Sequence, residues 1–106
     1  MNTIIEKKHR LPKQYYIGYV TVSFTLCIKS KSKPFINSKV FDIFKDLLRI
    51  EAKARKCEIL IYLFMPDHCH ILLKGNHKNC NLLEVINRFK QKSGYWLSKN
   101  FPAGKY

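Results

Sequence analysis

Two histidines, His68 and His70, flank a single residue in the stretch FMPDHCHILLKG, residues 64–75. In an extended strand, residues two apart share a face, with Cα atoms about 6.5–7 Å apart. Both imidazoles can then address one cation, and imidazole nitrogen is the commonest protein metal ligand near neutral pH. The spacing alone leaves a second reading open: two hydrogen-bonded, inert histidines at the polar end of a strand. Cys69 points the other way, with Ile71 and Leu73. The remaining candidates for chemistry are the tyrosines 15, 16, 19, 62, 95 and 106. A phenol, with a pKa of about 10, attacks as phenolate only beside a cation.

The charge balance narrows the partner. Among 106 residues, Lys and Arg total 20 against 7 Asp and Glu, a net charge of +13. Such an excess on one small domain points to a polyanion, nucleic acid first. No apolar run approaches the roughly 20 residues of a membrane-spanning helix. There is no lipidation motif, and MNTIIEKKHRLPKQ has no signal-peptide core. The expectation is therefore a cytoplasmic protein with no membrane partner. The four cysteines (27, 57, 69 and 80) form no C-x-x-C pair. In that compartment they are expected to be reduced, buried small hydrophobes.

The elements that must position the histidines follow from periodicity. Residues 1–14 read as a basic N-terminal arm, with Lys7, Lys8, Arg10 and Lys13. From residue 18, apolar Val20, Val22, Phe24, Leu26 and Ile28 alternate with Tyr19, Thr21, Ser23, Thr25 and Cys27, the pattern of a strand. Residues 37–56 carry an apolar stripe of Val40, Ile43, Phe44, Leu47, Leu48 and Ile50, with Asn37 or Ser38 as cap: a helix. CEILIYLFM is apolar on both faces, which predicts a central strand. Pro66 and Asp67 turn the chain, so residues 57–75 read as a hairpin. Residues 81–100 form a second helix, with Asn81 and Glu84 at capping-box spacing. Gly94 weakens that helix by about 1 kcal/mol relative to Ala, enough to kink or end it. The order β-α-β-β-α predicts an α+β, ferredoxin-like split βαβ fold with an antiparallel sheet. Its last strand is missing or supplied by a partner. Residues 15–106 form the domain, and residues 18–29 are expected to expose an unpaired edge.

The stretch YLFMPDHCHILLKG resembles the histidine–hydrophobe–histidine (HUH) signature of the single-tyrosine transposases, the IS200-like and REP-associated tyrosine transposase families. Cys69 takes the hydrophobe position. VTVSFTLCIKSKSKPFIN is similar to the family's first strand and loop, and LLEVINRFKQKSGYWLSKN to its second helix. The resemblance implies DNA transposition by cleavage and transfer of single-stranded or hairpin DNA. It implies a 5′-phosphotyrosine link and a divalent cation, Mg²⁺ or Mn²⁺, on His68 and His70. A cation there neutralises charge on the scissile phosphodiester. The family's nucleophile lies on a further helix, in a stretch resembling Tyr-Ile-x-x-Asn-Pro that does not occur here. The expectation is thus a chain without its nucleophile, either a truncated copy or a fragment whose remainder is encoded separately, unless Tyr95 substitutes. The bare edge of residues 18–29 invites a second copy or a complementing C-terminal fragment to add its strand. Lys74, Arg88, Lys92 and Lys99 are the expected DNA contacts.

Two rival classes frame these expectations. His68, His70, His77 and Cys80 would give a zinc-binding module if the loop folded back over the strand. A plain nucleic-acid-binding module would stack bases on exposed sheet aromatics, here Phe24 and Tyr19.

Overall fold

The computed structural model describes residues 4–6, 12–28, 38–65 and 68–100. Its elements in chain order are β1 (Ile4–Glu6), a short 3₁₀ turn (Lys13–Tyr16), β2 (Thr21–Ile28), α1 (Ser38–Ala54), β3 (Cys57–Phe64), β4 (His68–Gly75) and α2 (Leu82–Asn100). The strands form one antiparallel sheet in the order β1-β2-β4-β3. From β2 onward this is the expected split βαβ arrangement. Both helices pack on one face of the sheet, and the other face carries the histidines.

Alternation decides which side chains meet the helices. Phe24 and Leu26 of β2 and Cys69, Ile71 and Leu73 of β4 are buried. They pack against Val40, Phe44 and Leu48 of α1 and Val85, Ile86, Phe89 and Leu97 of α2. Rings lock the two helices together: Phe44 meets both Phe89 and Trp96 edge-to-face, with centroids 5.9 and 6.2 Å apart. Burial of Phe24 removes it as a base-stacking platform, whereas Tyr19 is exposed.

Several expectations need correction. The N-terminal arm is not wholly outside the sheet. Ile4, Ile5 and Glu6 pair with Ile28, Cys27 and Leu26, so part of the edge expected to be bare is covered. Most of the arm's basic residues lie outside the described residues, as does Asn37, one of the two proposed caps of α1. The strand CEILIYLF is an edge strand, not a central one. A register shift between Ile59 and Ile61 breaks its alternation, and Leu60, Ile61 and Leu63 are exposed. Hydrophobicity on both faces had mimicked central position. Ile50 is exposed, and Glu51 and Ala52 are buried in its stead. Steps of four from Val40 reach Phe44, Leu48 and Ala52, which rotates Ile50 away from the core.

Local chemistry sets the helix ends. The Asn81 side chain accepts a hydrogen bond from the Glu84 amide at 3.0 Å, a working N-cap for α2. The Glu84 carboxylate pairs with Arg55 at 2.7 Å. α2 runs unbroken through Gly94 to Asn100. α1 ends through Lys56, whose φ of 57° is the left-handed conformation usually given to glycine. Beside it, Cys57 and Cys80 are joined by a disulfide, with Cα atoms 6.5 Å apart. This overturns the expectation that all four cysteines are separate and reduced. Their separation of 23 residues hid the proximity, because the hairpin returns the chain to the start of β3.

Candidate functional site

The histidine pair is built by β4 and its two neighbours. Cys69 is buried against the helices, so His68 and His70 project from the opposite face. Their rings lie 5.1 Å apart, edge to face. Burial pushes the Cys69 thiol up to about 12, with Cys27 adding to the effect, so it stays protonated and serves as core.

Register brings in residues that spacing along one strand does not reveal. Thr25 of β2 and Leu63 of β3 sit directly across from His70, and Cys27 sits across from His68. The Thr25 hydroxyl is 3.1 Å from His70 Nδ1. When the hydroxyl accepts from Nδ1–H, the tautomer is fixed and Nε2 is left with a lone pair directed outward. Ligating histidines are commonly oriented in this way. Sequence reasoning placed Thr25 on the face opposite Phe24 but had no means of pairing it with His70.

The expected DNA contacts divide between the two sides of the sheet. Lys74 continues the alternation of His68, His70 and Leu72, so it shares the histidine face. Thr21 and Glu58 are its cross-strand neighbours. Arg88, Lys92 and Lys99 lie on α2, in the helical layer. Lys92 forms an ion pair with Glu51, a buried carboxylate that Arg55 also holds at 2.6 Å. Burial by itself pushes the Glu51 carboxyl up, but the Lys92 ammonium and the Arg55 guanidinium outweigh it, and the carboxyl sits below its ordinary range. Lys99 lies over the Tyr95 ring, 5.6 Å from its centroid. Tyr95 itself is exposed on α2, and the sheet separates that layer from the histidine face.

The zinc-module grouping does not assemble. His77 and Cys80 follow the far end of β4, where Cys80 is bonded to Cys57 and His77 Nδ1 accepts from the Asn79 amide at 3.0 Å. Among the described residues, no group of three or more His, Cys, Asp or Glu side chains gathers to hold a metal ion. Among the described residues, the imidazoles of His68 and His70 are the candidate ligand pair on the open face. Such a pair would suit a cation whose other positions are taken by water and phosphate oxygens.

The family model for IS200-like transposases matches residues 16–106. The chain belongs to that family, whose business is DNA transposition. No curated protein matches it. Among the described residues, no helix is long and apolar enough to cross a membrane.

Proposed function

We propose that the open face of the sheet binds single-stranded or hairpin DNA and a divalent cation, Mg²⁺ or Mn²⁺, and presents a phosphodiester for cleavage and transfer. The observation that carries this reading is the sharing of one face by His68, His70 and Lys74 in a chain of charge +13. His68 and His70 hold the cation, which when bound supplies positive charge to the scissile phosphate. Thr25 positions the His70 ring. Lys74 takes a neighbouring phosphate, and the exposed Ile61 and Leu63 beside the pair give the nucleotide an apolar floor. Cleavage through a 5′-phosphotyrosine joins a tyrosine oxygen to phosphorus as the 3′-oxygen leaves. We do not assign that role to Tyr95, because it stands on α2, on the helical side of the sheet.

The test is fluorescence anisotropy with labelled single-stranded DNA, with and without Mn²⁺. Affinity is expected to rise with Mn²⁺ in the wild type and not in His68→Ala or His70→Ala. If about six phosphates are engaged, raising salt from 50 to 200 mM weakens single-strand binding by roughly 300-fold. Binding that ignores both salt and Mn²⁺ overturns the proposal. A covalent protein–DNA band that disappears in Tyr95→Phe overturns the assignment of the tyrosine.

A further inference from the structure

The Cys57–Cys80 pair stands apart from the DNA face. Cys57 opens β3 and pairs with Gly75, the last residue of β4. Cys80 precedes Asn81, the cap of α2. Both sulfurs lie against the carbonyl oxygen of Arg55, in the turn that leaves α1, at 3.6 Å for Cys57 and 2.8 Å for Cys80. One covalent link therefore gathers the exit of α1, the base of the β3–β4 hairpin and the entry of α2. The ring it closes contains the whole hairpin, His68 and His70 included.

The surroundings suit thiol–disulfide exchange. Hollows on either side of the pair are lined by Arg49, Lys53, Arg55, Lys56 and His77. Basic neighbours favour the thiolate, the form that attacks a disulfide. Cys57 is 8% exposed and Cys80 2%, so Cys57 is the more accessible to a small reagent. Cys69, by contrast, is buried in the core.

From this arrangement we infer that Cys57 and Cys80 are a reversible redox clamp, closed by exchange with a low-molecular-weight disulfide such as oxidised glutathione. The Cys57 thiolate attacks one sulfur of the reagent, forming a mixed disulfide and releasing one glutathione thiolate. The Cys80 thiolate then attacks the Cys57 sulfur and displaces the second glutathione. Two protein thiols are oxidised to one disulfide, one glutathione disulfide is reduced to two thiols, and the two protons pass to the released thiolates. In the reduced state, both protein thiols can donate to the Arg55 carbonyl, so the fold survives opening. What changes is the hairpin base. Among the described residues β3 is an edge strand paired with β4 alone, and strands of that kind open locally. Closing the clamp ties its first residue to the start of α2.

The experiment uses the wild-type chain equilibrated with oxidised glutathione or with dithiothreitol. Each sample is denatured, alkylated and digested for mass spectrometry. Native samples are followed by amide hydrogen exchange. In the oxidised sample, a cross-linked peptide pair containing Cys57 and Cys80 is expected, with Cys27 and Cys69 alkylated. Exchange of the β3 amides is expected to slow at least tenfold on oxidation, and the thermal midpoint to rise by several degrees. A Cys57→Ser/Cys80→Ser variant should respond to neither reagent. Alkylation of all four cysteines after oxidation, or glutathione adducts without the cross-link, overturns the clamp. A cross-link that leaves β3 exchange unchanged overturns its role in holding the hairpin.

Discussion

Replacing Glu51 tests how the two helices are held. Its side chain is about 4% exposed and bridges Arg55 of the α1 exit and Lys92 of α2. Deleting one partner of a buried ion pair costs about 3–5 kcal/mol when the other charge is left buried and unpaired. Here the stranded groups are better placed. The Arg55 side chain is 19% exposed and keeps Glu84 at 2.7 Å, and Lys92 is 47% exposed and can turn to water. Glu51→Gln keeps the shape but removes the charge and turns one of the two accepting oxygens into a donor, so roughly 1.5–3 kcal/mol is expected from the lost charge-assisted hydrogen bonds. Its pH dependence has a definite sign. The Glu51 carboxyl is held below its ordinary value of 4.5, so the unfolded chain takes up the proton first as pH falls. The contribution is complete well above 4.5, shrinks as pH drops past it, and is gone below the folded-state value. Denaturant unfolding of wild type and Glu51→Gln between pH 7 and pH 3 measures this directly. The gap should hold from pH 7 to about 5.5 and close toward pH 3. A gap that stays constant to pH 3, or Glu51→Gln as stable as wild type at pH 7, refutes the ion-pair account.

Three further outcomes follow from single positions. Gly94→Ala should stabilise the chain by about 1 kcal/mol, because nothing lies within 4 Å of the added methyl and alanine is the better helix former; thermal unfolding reads it. Gly75→Ala should prevent normal folding, since its Cβ would fall 1.8 Å from the Gly18 carbonyl oxygen, a backbone atom that cannot swing aside; loss of the cooperative unfolding transition is the readout. Thr25→Val should leave stability within about 1 kcal/mol yet weaken Mn²⁺ binding by about 10-fold, as when an outer partner of a ligating histidine is lost; titration calorimetry separates the two effects, and unchanged affinity removes Thr25 from the site.

The sequence made legible what depends on one strand or helix at a time. Alternation in residues 20–28 placed Phe24 and Leu26 against Thr25 and Cys27, and H-x-H put both imidazoles on one face. Spacing of three and four found α1 and α2, and Asn81 marked the start of α2. What depends on contacts between distant segments was not legible. The pairing of Thr25 with His70 is a register between positions 45 apart in the chain. The Cys57–Cys80 bond and the Glu51–Lys92 ion pair are of the same kind. β3 was misplaced because an edge strand with an apolar outer face has the composition of a buried one. Lys92 reads as a DNA contact in the sequence because its partner, Glu51, sits on the other helix.

The division of charge between the two layers sharpens the functional argument. Part of the basic excess is already engaged within the fold: Arg55 and Lys92 neutralise Glu51 and Glu84, and Lys99 rests on Tyr95. A cation neutralised by an internal carboxylate contributes little field to an incoming polyanion. Lys74 differs, because it is exposed on the face where the histidines and the apolar side chains of β3 lie together. That face mixes imidazole, ammonium and exposed aliphatic groups, and the helical packing of the core does not require them. The features that stabilise the fold thus lie on one side of the sheet, and the residues we propose for phosphate and base lie on the other.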